Sequence, residues 1–326
     1  MSQTTERILV AESVSRKFLV RQGLFAKKKT LTAVDAASFF LKKGECLGLV
    51  GESGCGKSTL GRLSCGLLQP TQGSILFCGT PLPPAGAGSW ARGRIQMIFQ
   101  DPFSSLNPRM TVQDAVAEPL TARGIPRAER IQAAEDMLAR VGLKGTGKRY
   151  PHEFSGGQRQ RIAIARSVMT HPDIIICDEA VSALDASVQA QILNLLKDMQ
   201  EEFSPAYLFI SHDLNIVGFM CQRILVMYLG RLLEEGPTEE LFRHPAHPYT
   251  EALLAARNGL DASHPPLTGE IPSPLDPPAG CAFHPRCPYR KPLCEETMPP
   301  WTELSPGWRV RCHVAQQRVS CSQRSG

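Results

Sequence analysis

The clearest chemistry in the chain lies in eight consecutive residues, Gly51-Glu52-Ser53-Gly54-Cys55-Gly56-Lys57-Ser58. Glycines there let successive backbone N–H groups turn inward, Lys57 can reach the β- and γ-phosphates of a nucleotide, and Ser58 can ligate Mg²⁺, which is the P-loop pattern. The pattern follows the apolar run Cys46 to Val50 and precedes a helix expected to begin near Lys57, with Thr59 next. Far downstream, Ile174-Ile175-Ile176-Cys177-Asp178-Glu179 reads as a buried strand ending in two carboxylates. Two adjacent acids at a strand end can simply cap a helix; beside a P-loop, Asp178 suits holding Mg²⁺ through water and Glu179 suits deprotonating an attacking water.

Such groups need strands whose ends converge. Short apolar runs recur with helical stretches between them: Cys46 to Val50, Ile95 to Phe99, Ile174 to Cys177, Tyr207 to Ile210 and Ile224 to Met227. This is the rhythm of an α/β fold with a largely parallel sheet. Val188, Ile192, Leu195 and Met199 repeat at helical spacing between two of those runs, and Asp185 offers the N-cap of that crossover helix. Residues 103 to about 170 lack strong strand runs, and Ile131, Ala134, Leu138 and Val141 form a helical pattern after Pro126, so a helical insertion is expected there. Beyond Asn258 the texture changes: 12 of the 26 prolines fall in residues 259–326, predicting a tail of turns and extended pieces with little room for helix or central strand. Gly23 to Lys29 reads as an exposed loop between early strands.

Composition narrows the class. With 326 residues, 42% hydrophobic and 21% charged, the chain can bury a substantial core and is neither collagen-like nor wholly disordered. A net charge of +5 is too weak to require a nucleic-acid partner, and 6% aromatics argue against a base-stacking surface. Met1 to Arg7 has no apolar core of a secretory signal, so the chain is expected to stay in the cytoplasm. The uncharged stretch between Arg62 and Arg92 is broken repeatedly by glycine and proline and is not a membrane span. The eleven cysteines, six before residue 222 and five after residue 280, point to metal or redox chemistry rather than a disulfide framework.

A P-loop alone says only that a nucleotide is bound. Phe154-Ser155-Gly156-Gly157-Gln158, followed by Arg159-Gln160-Arg161-Ile162-Ala163, narrows this: it resembles the signature motif of ATP-binding-cassette (ABC) ATPases and stands between the P-loop and the acidic strand, as in that family. Gln100 resembles the family's Q-loop glutamine, Ser182-Ala183-Leu184-Asp185 its D-loop and Ser211-His212-Asp213 its switch histidine, while Phe18 is the best match to the aromatic that stacks on adenine. The resemblance implies ATP and Mg²⁺ as cofactors, with Ser58, Gln100 and Asp178 around the metal, Glu179 as base, and Gln100 and His212 reporting the γ-phosphate. It also implies a sandwich of two cassettes in which Ser155, Gly156, Gly157 and Gln158 act on the ATP held by the partner. The chain departs from the pattern at Phe154, where Leu is usual, at Cys177 before Asp178, and at Ala180, where Pro is common; none removes a charged or phosphate-binding group.

Within the family the chain most resembles the ATPases of bacterial oligopeptide and dipeptide importers. Gln100-Asp101-Pro102-Phe103-Ser104-Ser105-Leu106-Asn107-Pro108-Arg109, His247-Pro248-Tyr249-Thr250 and the tail Gly269-Glu270-Ile271-Pro272-Ser273-Pro274 are typical of that group. That implies an ATPase domain over 1–258, with its helical subdomain at about 103–170, and a transporter-type tail over 259–326. It implies two permease subunits, a second related ATPase, an external solute-binding protein and a peripheral site at the cytoplasmic face of the bacterial inner membrane. Relatives of this group carry nickel complexes or opines, and non-transport ABC ATPases of DNA repair or translation form a competing class. Those usually join two cassettes or insert long coiled-coil arms, neither of which is present. Cys281, Cys287, Cys294 and Cys312, with five, six and seventeen intervening residues, suit a [4Fe–4S] cluster or zinc, as in the tails of peptide-importer ATPases, and leave Cys321 spare.

Overall fold

The computed structural model of the chain describes residues 6–21, 28–85, 90–91, 93–101, 105–257 and 269–315. Most of the Gly23 to Lys29 loop, Pro102 to Ser104, the expected boundary at 258 and Cys321 lie outside them. In chain order the strands are β1 (Arg7–Val20), β2 (Lys29–Lys42), β3 (Cys46–Val50), β4 (Gln72–Phe77), β5 (Thr80–Pro81), β6 (Ile95–Ile98), β7 (Ile174–Asp178), β8 (Ala206–Ser211), β9 (Arg223–Tyr228), β10 (Arg231–Pro237), β11 (Thr302–Ser305) and β12 (Trp308–Val310). The helices are α1 (Lys57–Ser64), α2 (Val112–Ala117), α3 (Arg127–Arg140), α4 (Gly156–Val168), α5 (Ala186–Phe203), α6 (Leu214–Met220), α7 (Thr238–Arg243), α8 (Pro248–Arg257) and α9 (Pro292–Glu296). All five apolar runs form strands.

The chain divides into two compact units that do not follow chain order. The first takes the described parts of Met1–Ile8, Leu41–Glu45 and Pro83–Ile210. In it β6, β7 and β8 run parallel, in register Ile95 to Ile174 and Ile174 to Ala206. Every residue of β7 and β8 is buried, as strands covered on both faces require, which is why they read as continuous apolar runs. Between β6 and β7 every regular element among the described residues is helical, as the missing strand pattern implied. The N-terminus of α5 is capped by Asp185, whose carboxylate accepts the Val188 N–H at 3.0 Å, and α5 buries Ile192, Leu195 and Met199.

The second unit takes the described parts of Leu9–Phe40, Cys46–Leu82 and Ser211–Gly326. It holds a sheet of order β2-β1-β4-β5, antiparallel at β1-β4 and β4-β5, and, of a mixed sheet, the strands in the order β11-β12-β10-β9-β3. β3 and β9 are parallel, pairing Leu47 with Arg223 through to Val50 with Val226, while β9-β10, β10-β12 and β12-β11 are antiparallel. The tail is therefore more ordered than its prolines suggested: β12 lies between β11 and β10, and α9 is a short helix. The described prolines stand outside β11 and β12, with Pro292 opening α9, leaving Trp308 to Val310 free to pair. Among the described residues no helix is long and apolar enough to cross a membrane.

Two buried carboxylates attach the tail to β10. Glu235 bridges Arg223 of β9 and Arg309 of β12. Glu234, wholly buried, accepts the Ala246 and His247 N–H groups, each at 2.9 Å, and the Trp308 indole N–H at 3.0 Å. Burial pushes the Glu234 carboxyl above its ordinary pKa, and those donors oppose the push.

Candidate functional site

The P-loop lies in the second unit, between β3 and α1. Gly56 is the N-cap of α1, with φ +109°, and no side chain caps the helix. A Cβ at Gly56 would stand 2.1 Å from the Ala33 carbonyl oxygen, so conformation and space both demand glycine. The first N–H groups of α1 thus start from a loop with no capping side chain, the arrangement that suits an anion. Lys57 is 4% exposed, and its ammonium donates to the Gly51 carbonyl at 2.8 Å and the Glu52 carbonyl at 3.0 Å. Burial raises the Cys55 thiol pKa, with the Lys57 charge pulling it back. Ser58 and Thr59 follow on the first turn, half-buried.

Glu52, the acidic member of the loop, is held by residues from far downstream. Its carboxylate accepts two hydrogen bonds from the Arg286 guanidinium, at 2.8 and 3.0 Å. Its backbone N–H donates to the Tyr249 hydroxyl at 2.8 Å. The Glu52 carboxylate, through its hydrogen bond, raises the Arg286 pKa further above its ordinary value and keeps the guanidinium charged. Tyr249 is wholly buried, with its ring 4.7 Å from Tyr228 and 5.4 Å from Phe283 between centroids. Phe18, near the end of β1, is half-buried with the Arg16 guanidinium 4.8 Å from its ring centroid.

The first unit carries the acids. Asp178 ends β7 at 4% exposure, and Glu179, half-buried, follows with φ +49°. A left-handed backbone is uncommon for a residue with a long side chain, and its neighbours hold it there. The Glu179 N–H donates to the Ile210 carbonyl at 3.0 Å, and its own carbonyl accepts the Ser182 N–H at 3.2 Å and hydroxyl at 3.1 Å. The structure brings Gln100 and Glu179 together: the Gln100 amide donates to the Glu179 carboxylate at 3.1 Å. Seventy-nine residues separate them.

Ser155 opens α4 with a reciprocal cap: its hydroxyl accepts the Gln158 N–H at 3.4 Å, and its own N–H donates to the Gln158 side chain at 3.0 Å. Ser155, Gly156 and Gln158 are exposed, and Gly157 is half-buried. Phe154, the departure from leucine, is buried under the Arg149 guanidinium at 4.5 Å, so an apolar packing residue is what the position asks for. Asp185 is held as a carboxylate below its ordinary pKa, chiefly by the Ser187 hydroxyl and then by the Val188 N–H. His212, exposed, follows β8, and Asp213 caps α6 by accepting the Asn215 N–H at 2.7 Å.

In the tail, Cys281, Cys287, Cys294 and Cys312 line one small cavity together with His284 and His313. The Cys281 N–H donates to the Cys294 carbonyl at 2.8 Å, drawing two of the four together. Burial pushes the Cys281 thiol up to about 12, and the other three cysteines add to the rise. As the side chains stand, no group of three or more metal-ligating side chains is arranged to hold an ion among the described residues. The four thiols converge on one cavity without reaching ligand geometry.

Residues 34–182 match the family model described as ABC transporter, and residues 233–294 match the one described as oligopeptide/dipeptide transporter, C-terminal region. The chain is 49% identical over 321 residues to the oligopeptide transport ATP-binding protein AppF of Bacillus subtilis, covering 95% of this chain and 98% of that one. The chain belongs to the ABC transporter family. The dipeptide transport ATP-binding protein DppF of Escherichia coli is 45% identical over 318 residues, 95% of each chain. Among solved structures, an ATP-binding cassette dimer in a post-hydrolysis state with ADP and Pi matches with a TM-score of 0.62 and 26% identity, over 71% of this chain and 98% of that one. A cbiO1 subunit from Clostridium perfringens, part of the ABC transporter complex cbiONQ, matches with a TM-score of 0.63 and 29% identity, over 73% of this chain and 91% of that one.

The ABC transporter match takes in the P-loop, Gln100, the signature, Asp178 and Glu179; Asp185 and His212 follow it in the chain. As a member of this family the chain is an ATPase that uses Mg²⁺. The C-terminal match takes in Glu234, the His247 to Thr250 segment and three of the four tail cysteines. Arg286 also lies within it, and sequence reasoning had given that residue no role. Nothing local marks it, since its partner Glu52 is 234 residues away.

Proposed function

We propose that this chain is the ATP-hydrolysing subunit that powers import of di- or oligopeptides through separate permease subunits. The observation that carries the reading is that identity of 45–49% to peptide-transport ATP-binding proteins runs through cassette and C-terminal region alike, over 95% of the chain. Lys57 and the amides of the loop bind the triphosphate, and Phe18 stacks on the adenine. Ser58, Asp178 and Gln100 would hold Mg²⁺, which would offset the negative charge of the phosphates. Glu179 takes the proton of the attacking water, and Gln100 and His212 report the γ-phosphate. Ser155, Gly156, Gly157 and Gln158, exposed at the start of α4, serve the nucleotide of a second, related ATPase, and Asp185 lies at that junction. The subunit works peripherally at the cytoplasmic face of the inner membrane, with a solute-binding protein on the far side and no nucleic acid. The test is affinity capture of tagged Glu179→Gln protein from detergent-solubilised source membranes with MgATP. Two multispan permeases and a second cassette ATPase are expected; recovery of ribosomes or nucleic-acid proteins alone would sink the transport reading, and a linked binding protein selective for nickel complexes or opines would replace the peptide.

What supports a metal at the four tail cysteines is their chemistry and their gathering: soft thiol donors that line one cavity, two of them, Cys281 and Cys294, buried, though not standing in ligand geometry. Cys281, Cys287, Cys294 and Cys312 would hold a [4Fe–4S] cluster or zinc. Anaerobically purified protein is expected to contain iron or zinc near the stoichiometry of one site, and Cys287→Ser protein much less. Metal absent from both would remove the site.

A further inference from the structure

The His247-Pro248-Tyr249-Thr250 segment and Arg286 have no part in the chemistry described so far, yet both end on one residue of the P-loop. We propose that Tyr249 and Arg286 are positioning residues of the phosphate-binding loop, which makes the C-terminal region a working part of the nucleotide site. The inference rests on the ATPase reading and deepens it.

The physical problem is Glu52. A loop that gathers anionic phosphates by its amides, a helix N-terminus and Lys57 contains a carboxylate one residue after its first glycine. Left free, that charge opposes the phosphates across a poorly screened site. Arg286 answers it with a two-pronged ion pair at 2.8 and 3.0 Å, its own side chain only 5% exposed and that of Glu52 21% exposed. Paired guanidinium and carboxylate fix direction as well as charge, and Glu52 is thereby neutralised and held. Tyr249 fixes the same residue by its backbone, accepting the Glu52 N–H at 2.8 Å.

The supports of these two groups are built in. The Tyr249 N–H donates to His247 Nδ1 at 3.0 Å, and the His247 N–H donates to the buried Glu234, which also accepts from Trp308 of β12. Phe283 packs against the rings of both Tyr228 and Tyr249, three residues before Arg286. The shared purpose of the His247 to Thr250 segment and the tail is thus legible in contacts within one unit.

The test compares the affinity for MgATP, read with a fluorescent ATP analogue, and the ATPase KM and kcat of full-length wild type, Arg286→Met, Arg286→Lys and the double variant Glu52→Gln/Arg286→Met. Arg286→Met is expected to raise Kd and KM by roughly tenfold or more, by exposing the phosphates to an uncompensated charge, while kcat changes far less. Removing the charge it compensated, in the double variant, is expected to restore most of the affinity, and Arg286→Lys to fall between. Tyr249→Phe is expected to raise Kd severalfold, with Glu52→Gln giving it no rescue. Wild-type affinity in Arg286→Met, or an equal loss in single and double variants, would overturn the inference by reducing Arg286 to a structural residue. Should Arg286→Met fail to fold, Arg286→Gln against Glu52→Gln/Arg286→Gln makes the same comparison. Wild-type protein that does not bind MgATP would remove the ATPase reading itself, and the inference with it.

Discussion

Glu179→Gln protein is expected to bind MgATP as tightly as wild type and to hydrolyse it roughly 10²–10⁴-fold more slowly, the usual worth of a general base. Glutamine keeps the shape of the side chain and loses its charge and basicity. The backbone that presents residue 179 is fixed independently, by the Ile210 carbonyl and by Ser182, so the φ of +49° should survive the change. The Gln100 amide that donates to the Glu179 carboxylate at 3.1 Å can donate equally to an amide oxygen. Binding and turnover therefore separate, and paired measurements of nucleotide affinity and single-turnover hydrolysis read the separation directly. Hydrolysis at the wild-type rate would take the base role from Glu179; loss of binding together with turnover would mean the residue shapes the site.

Gly56→Ala is expected to abolish tight ATP binding and to lower the stability of the fold by about 2–6 kcal/mol, combining the strain of a forbidden backbone with overpacking. An added Cβ would lie 2.1 Å from the Ala33 carbonyl oxygen, which is backbone and cannot swing aside; the Met227 methyl, at 3.0 Å, can. Against the roughly 5–15 kcal/mol that holds a typical domain folded, such a loss is large. Gly44→Ala separates the two causes: Gly44 also has a positive φ, +68°, but nothing lies within 4 Å of its would-be Cβ. Denaturant titrations of the three proteins should rank wild type above Gly44→Ala and Gly44→Ala above Gly56→Ala. Equal midpoints for the two variants would show that backbone strain alone matters at Gly56.

Much of this site was legible from the chain because its parts are local patterns. A P-loop needs its glycines, lysine and serine within eight residues of one another, and the structure puts α1 at Lys57 as the pattern required. The acidic pair ends a buried strand, and Asp185 caps the crossover helix, each for reasons confined to one turn or one strand. Phe154, Cys177 and Ala180 depart from the family's usual residues, yet all three are buried and apolar, so packing tolerates them. The tail was read less fully. Its prolines spoke for turns, but whether Trp308 to Val310 would pair with β10 depended on Glu234 and Glu235, more than seventy residues earlier.

By itself, then, the sequence determined the nucleotide chemistry, the family, five of the strands and the crossover helix, since each rests on residue types at short, regular spacing. Only the tertiary structure decided that Gln100 meets Glu179, that four tail cysteines share a cavity, and that Arg286 and Tyr249 close on Glu52. Those are single contacts between residues far apart in the chain, with no period and no local signature. The physical reason is that a lone ion pair or hydrogen bond leaves no pattern along the chain; it exists because the packing of other residues brings its partners within 3 Å or so.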